Sequence, residues 1–421
     1  MDERMRDGMA EATRLTQAGR LAEATALIQR LLRGLPVDDV SEARKGRVKD
    51  AIEAEFWVVP DTPPAEGKEA DFKDIPTKEK HGGQEYSTRT TGGHKGPSPA
   101  SPPHPPLRDM PMFRFSPNVQ HKPKPEKLSS INGGGQFVNG RYSNADSTRA
   151  YQLYIPSSYR GQAVPLMVML HGCTQTPLDF ATGTQMNVLA EEQTFLVAYP
   201  QQAQGANSSR CWNWFQAADQ QRDAGEPSLI AGMTQQIMSK YRVDATRVYV
   251  AGMSAGGAMA VVMAVTYPDL YAAVGVHSGL AYGAAHDLPS GFVAMTQGAS
   301  QQVRQVSGAI PLIVFHGDRD TTVAPVNADH LVEQWLRASN NGSRRETRVE
   351  RGKAASGHAY SRFTYVDASG RTIVEKWLVH QAGHAWSGGS AGGSFTDPKG
   401  PDASAEMLRF FNEHPKKRQH R

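Results

Sequence analysis

Ten residues, Val248-Tyr249-Val250-Ala251-Gly252-Met253-Ser254-Ala255-Gly256-Gly257, constrain this chain more than any other stretch. A short apolar run ends at a glycine-flanked serine and opens at once into an alanine-rich segment. The spacing Gly-x-Ser-x-Gly is that of a nucleophile elbow, in which a strand stops, turns sharply and starts a helix with the serine on the turn. The glycines answer a steric demand. A strained turn that lifts a hydroxyl above a sheet edge leaves no room for larger side chains two positions to either side. Five residues of this type also occur in ordinary strand-to-helix turns. The apolar run before them and the helical composition after them make Ser254 the candidate nucleophile.

The rest of the C-terminal part repeats this alternation. Residues 166–170, 195–199, 272–276 and 311–315 are continuous apolar runs of the kind buried on both faces of a parallel sheet. Between them, helical spacing of apolar residues predicts helices through Met186 and Ala190, over 229–241, from the elbow to about 267, and over 326–338. Residues 137–154 carry two strand-like runs, 360–366 and 372–378 form a hairpin turning at 367–370, and a helix is expected over 403–411. The pattern predicts an α/β architecture, a mainly parallel sheet with helices on both faces. In such sheets the functional residues sit on loops at the carboxyl ends of strands.

Composition divides the chain. Of 27 prolines, 14 lie between residues 60 and 125, in a stretch also rich in Lys, Gly and Ser. Such a segment buries too little apolar surface to offset the entropy of ordering, so a disordered linker is expected over 58–127. Ahead of it, 1–57 reads as helical. Leu15, Leu21, Ala24, Leu27, Ile28, Leu31 and Leu32 recur at helical spacing, and Ala18-Gly19-Arg20 marks a turn between two helices within 3–33. The phrase from Ala18 to Ala24 resembles the middle of a tetratricopeptide unit, but it occurs once and a solenoid needs about three copies. An amphipathic interaction element and a small cap on the main domain both fit it. Residues 128–413 are then expected to form one α/β domain carrying the candidate nucleophile, a catalytic domain, followed by a basic tail over 414–421.

The net charge of +4 comes without basic residues interleaved with aromatics, and no nucleic-acid partner is expected. The first 20 residues lack the apolar core of a secretory signal, and nowhere do about 20 apolar residues run together. No membrane span is expected, and the sequence reads as cytoplasmic. Cys173 and Cys211 are too few for a disulfide framework, and the sequence leaves their pairing open. The histidines lack the paired spacing of a zinc site, so neither metal nor cofactor is expected.

A serine hydroxyl needs a base, and the base an orienting acid. Downstream of Ser254, the end of an apolar strand carries His316-Gly317-Asp318-Arg319-Asp320. Asp320 lies past the tight turn, where its carboxylate reaches the next loop, whereas Asp318 is expected to stabilise its own turn. Two histidines fit the base. His380 ends an apolar run, as a hydrogen-bonded strand-end histidine would. His384 sits among small residues that let an imidazole project into a cleft, and it is the expected base. Donors for a developing oxyanion are expected from the backbone N–H of Ala255 and, on the loop His171-Gly172-Cys173, from that of Cys173. His171 either braces that loop or meets substrate. Trp212, Trp214, Trp386 and Met253 are candidates for an apolar substrate wall, with core packing as the alternative for each.

The segments His171-Gly172-Cys173-Thr174-Gln175, Cys211-Trp212-Asn213-Trp214, Gly252–Gly257 and Gly383-His384-Ala385-Trp386-Ser387-Gly388-Gly389 occur in this order. Together they resemble the polyhydroxybutyrate depolymerase type of esterase, whose relatives include feruloyl and acetylxylan esterases. The resemblance spans roughly residues 140–412. It implies an α/β-hydrolase fold and a Ser–Asp–His hydrolase of short-chain hydroxyalkanoate polyesters or similar esters. It also implies that Cys173 and Cys211 pair, pinning the oxyanion loop to the tryptophan loop, and it admits an extracellular location. The order serine, acid, base implies a domain that is not circularly permuted. The chain departs from secreted members in showing no signal peptide and no Thr-rich linker to a polymer-binding domain. A carbohydrate-linked ester is the alternative substrate. Association with a polymer granule or partner through the N-terminal segment, with hydrolysis incidental, is the alternative from another class.

Overall fold

The computed structural model describes residues 134–417, apart from 146, 300–303, 305, 307, 339–345 and 356. The segments read as helical (1–57) and as linker (58–127), and the end of the basic tail, lie outside the described residues.

One sheet organises the rest. Its strands are β1 (Gln136–Ser143), β2 (Thr148–Ile155), β3 (Val164–Leu170), β4 (Leu196–Pro200), β5 (Val243–Met253), β6 (Ala273–His277), β7 (Leu312–Gly317), β8 (Glu346–Lys353), β9 (Ala359–Val366) and β10 (Thr372–Val379), in the order β1-β2-β4-β3-β5-β6-β7-β10-β9-β8. The run β4-β3-β5-β6-β7-β10 is parallel throughout. The outer strands β1, β2, β8 and β9 pair antiparallel. Parallel strands have to be covered on both faces, and successive side chains alternate accordingly. Val168, Val250, Val274 and Val314 face one core layer, with α3 (Gly225–Lys240), α4 (Ala255–Thr266) and α6 (Val326–Ala338). Met169, Ala251, Ile313 and Phe315 face the other, with α1 (Pro177–Thr184), α2 (Met186–Gln193) and α7 (Ala403–Asn412). This is the α/β-hydrolase architecture that the family resemblance implied.

Several elements differ from the sequence expectation. The helix α3 begins at Gly225, a turn before its apolar periodicity starts, because the Asp219 carboxylate accepts from the Glu226 N–H and holds the entry. Strand β8 was not expected. Its sequence, ETRVERGK, is strongly charged, and it forms as an edge strand whose partner β9 supplies the register. The helix α5 (Leu288–Gln297) was also missed, although Asp287 and Ser290 form a capping box and a proline opens it. At the other end, His414 is buried against the domain and the Lys416 N–H donates to Thr246 O. Among the described residues no helix is long and apolar enough to cross a membrane.

Candidate active site

Strand β5 ends at Met253, α4 starts at Ala255, and Ser254 lies between them with φ 56° and ψ −122°. That conformation is strained for a residue with a Cβ. It persists because both backbone groups of Ser254 are used: its N–H donates to His277 O and its carbonyl accepts from Ala258 N–H, each at 2.9 Å. The glycines explain the motif. A Cβ on Gly252 would lie 2.3 Å from Gly256 O, and one on Gly256 would lie 2.0 Å from Leu170 O. The turn therefore closes only with hydrogen at both positions.

Asp320 and His384 meet across neighbouring loops, with the carboxylate Oδ2 accepting from His384 Nδ1 at 2.7 Å. Asp320 Oδ1 accepts from the Thr322 and Val323 N–H groups, both at 2.9 Å. Burial pushes the Asp320 carboxyl up, but hydrogen bonding from His316 and His384 outweighs burial and holds it well below the usual carboxylate range. A buried carboxylate that stays charged holds the His384 proton on Nδ1, leaving Nε2 as the basic nitrogen. His384 and Ser254 line the same small cavity, together with Gly172, Cys173, Gln175, Met253 and Phe395.

The loop after β3 lies directly against the serine, so that a Cβ on Gly172 would sit 3.5 Å from Ser254 Cβ. No described residue accepts a hydrogen bond from the backbone N–H of Cys173 or of Ala255. His171 is buried and turned away from the cavity. Its Nδ1 donates to Gly172 O, and its Nε2 accepts from the Gln202 N–H. Burial pushes this imidazole down to about 4, so it braces the loop as a neutral group. Gln175 adds a second brace by accepting from the Gly172 N–H.

Cys173 and Cys211 are joined in a disulfide that ties this loop to the tryptophan loop. Below it, Glu226 accepts from the Asn213 N–H and side-chain amide, and from Gln202. The bond spans 38 residues, for which chain-entropy reasoning gives about 4 kcal/mol. Thiol titration of the denatured, unreduced protein is expected to detect no free thiol. Two free thiols per chain would show that the loops are held without it.

The four candidate wall residues do not share one location. Trp214 lines a larger apolar cavity that opens on Ser254 and Ala255, and Met253 lines the smaller one. Trp212 and Trp386 line neither. Trp212 is fully buried beside His171, and Trp386 is packed edge-on against Phe180 and stacked on His277, with its N–H donating to Ser404. Their neighbours in sequence face the site, but the rings point into the core, where most of their area is removed from water.

Sequence reasoning missed several contributors. His277 ends β6 and links two parts of the site, accepting the Ser387 N–H on Nε2 while its carbonyl holds the Ser254 N–H. Burial pushes its imidazole down to about 3. His316 is buried beside Asp320, donating from Nε2 to Val323 O at 2.9 Å with Asp320 Oδ2 at 3.4 Å. The helix α5 presents Leu288, Gly291, Phe292 and Met295 to the larger cavity, a spacing of three, four and seven that was legible as one helical face. Asp318 also departs from expectation. Its carboxylate does not bond its own turn but reaches His380 Nδ1 and the Gln381 N–H. Among the described residues no group of three or more His, Cys, Asp or Glu is placed to hold a metal ion.

Residues 149–354 match the family model described as esterase PHB depolymerase. The chain is 34% identical over 244 residues to poly(3-hydroxyalkanoate) depolymerase C of Paucimonas lemoignei, covering 55% of this chain and 57% of that protein. It is 31% identical over 243 residues to a probable acetylxylan esterase A of Neosartorya fischeri, covering 53% of this chain and 65% of that one. It is 32% identical over 255 residues to feruloyl esterase B of Neurospora crassa, covering 56% of this chain and 83% of that one. The chain thus spans less than two thirds of the depolymerase and of the acetylxylan esterase. Among solved structures, the acetyl xylan esterase from Aspergillus awamori superposes with a TM-score of 0.50 at 21% identity, covering 66% of this chain and 99% of that one.

Proposed function

The chain belongs to the esterase family of polyhydroxybutyrate depolymerases, and from that premise we propose that it hydrolyses carboxylic esters through an acyl-enzyme on Ser254. The observation that carries the reading is a serine on a strained elbow sharing a cavity with a histidine whose far nitrogen is held by a buried carboxylate. His384 Nε2 takes the proton of Ser254 Oγ as the oxygen attacks the ester carbonyl. The N–H groups of Ala255 and Cys173 receive the developing oxyanion. Collapse expels the alcohol, which takes the proton back from His384. Water then repeats the sequence on the acyl-enzyme. Asp320 fixes the tautomer throughout.

Because His384 lies on the smaller cavity, the leaving alcohol belongs there and the acyl group in the larger one. Apart from Ser254, the larger cavity is lined by apolar side chains, among them Trp214, Phe215, Phe292, Met295 and Val323. Among the described residues no charged group lines it, which suits an uncharged acyl unit with a short aliphatic chain. Short-chain polyhydroxyalkanoate or its oligomers are the leading substrate. The likeness to a feruloyl esterase along 83% of that protein supports a second reading, an aromatic or acetyl ester on carbohydrate.

Rates on 3-hydroxybutyrate oligomers, methyl ferulate and acetylated xylan separate these readings. The oligomers are expected to turn over fastest, and a preference for methyl ferulate overturns the polyester reading. Met295→Trp is expected to lower kcat/KM for p-nitrophenyl butyrate more than for the acetate, because the larger indole would take up space in the acyl cavity that the longer chain needs. The Cys173–Cys211 bridge favours the extracellular alternative over the cytoplasm, since such bonds persist in oxidising surroundings.

A further inference from the structure

A second Ser–His–Asp relay lies beside the first. Ser361 Oγ is 2.9 Å from His380 Nε2, and His380 Nδ1 is 2.9 Å from Asp318 Oδ2. Asp318 stands two residues before Asp320 and His380 four residues before His384, so both relays use the same two loops. The second relay is not built for nucleophilic chemistry. Ser361 sits inside β9, paired with Leu378 on one side and Arg351 on the other. Its backbone is extended inside a strand rather than bent into an elbow that opens a helix.

The relay instead closes a joint. Asp318 Oδ1 accepts from the Gln381 N–H at 2.7 Å, where the chain turns with Gln381 at φ 66°. The Asp318 and Arg319 N–H groups donate to Val379 O and Ala382 O at 3.0 and 2.9 Å. A Cβ on Gly317 would lie 2.3 Å from Ala382 O, so the two loops are in backbone contact. Every one of these links falls between the strand ends and His384. Only three residues, Gln381, Ala382 and Gly383, separate the clamped imidazole from the base.

We infer that Asp318, acting through His380 and the Gln381 amide, is a positioning residue that sets where His384 stands over Ser254. This rests on the reading of Ser254 and His384 as nucleophile and base. The clamp holds geometry and not a protonation state, which distinguishes it from the Asp320 contact. With asparagine at 318, Oδ1 still accepts from Gln381. His380 then shifts its proton to Nε2, accepts from the new amide on Nδ1 and donates to Ser361 Oγ. Every contact is kept.

The test uses the full chain, p-nitrophenyl butyrate, and inactivation by a sulfonyl fluoride as a probe of the activated serine. Asp318→Ala is expected to lower kcat and the inactivation rate about 10- to 100-fold, the scale of a catalytic group displaced by about 1 Å. KM is expected to stay within about twofold, since the cavities are untouched. Asp318→Asn is expected to recover most of that loss. A parental kcat in Asp318→Ala overturns the inference, as does an Asp318→Asn variant as slow as Asp318→Ala. If Asp318→Ala does not fold, Ser361→Ala removes only the Nε2 contact, and a kcat several-fold down supports the clamp while a parental kcat refutes it. Activity surviving in Ser254→Ala strikes at the nucleophile assignment instead, so the two failures are told apart.

Discussion

Replacing Ser254 with alanine is expected to lower kcat for p-nitrophenyl butyrate by on the order of 10⁶ while leaving the fold intact. The loss is large because the serine oxygen forms the bond on which the proposed acyl-enzyme depends, and no other described side chain in the cavity is an alcohol. The fold survives because the structural work of this residue is done by its backbone. The N–H bond to His277 O and the carbonyl bond from Ala258 N–H remain in the variant. Alanine carries the same Cβ as serine, so the cost of φ 56° is unchanged. A melting temperature within a few degrees of the parent, as expected for about 1 kcal/mol or less, together with no turnover, is the combined result. Parental activity in the folded variant would remove Ser254 from the mechanism.

The second large effect is expected at Asp320. Asp320→Asn keeps the shape of the side chain but cannot keep all its bonds. Oδ1 accepts two turn N–H groups while Oδ2 accepts from His384 Nδ1, so an amide must point its NH₂ at one side or the other. Facing the turn, it sets donor against donor. Facing His384, it moves the imidazole proton to Nε2 and removes the base, and kcat is expected to fall by about 10⁴. The contrast with the tolerated asparagine at 318 comes from the same chemistry: one carboxylate selects a tautomer, the other only a position.

A stability measurement checks the Asp320 carboxylate separately. Its folded pKa is held below the unfolded value, so it contributes stability above about pH 4 that is lost as pH falls below that. Urea midpoints of the parent are therefore expected to drop between pH 7 and pH 3 more steeply than those of Asp320→Asn. Parallel curves would show that the carboxylate is not held charged by its histidines.

Much of this architecture was legible along the chain, and the places where it was not have physical causes. Buried parallel strands such as β3 and β7 read as apolar runs because both faces are covered, leaving little else for their side chains to meet. The strand β8 did not, because an edge strand needs no apolar alternation and takes its pairing from β9. The helix α5 was short, and its apolar residues serve a cavity as well as the core, so its periodicity was easily passed over. Trp212 and Trp386 lie beside site residues in sequence yet point inward, which no local pattern reports.

The elbow shows where the division falls. Two glycines at fixed distances from a serine are a steric requirement met within five residues, so the sequence alone singled out Ser254 as the candidate nucleophile and located the strand and helix that carry it. Order and spacing along the chain also favoured Asp320 over Asp318 as the candidate acid and His384 over His380 as the candidate base. That Asp318 holds His380 rather than its own turn, beside the Asp320 and His384 pair, was decided only by the tertiary structure. The partners lie 64 residues apart for Asp320 and His384 and 62 for Asp318 and His380, and their pairing depends on how β7 and β10 lie side by side in the sheet. A register set by long-range packing aims each carboxylate, and no stretch of sequence short enough to read locally contains it.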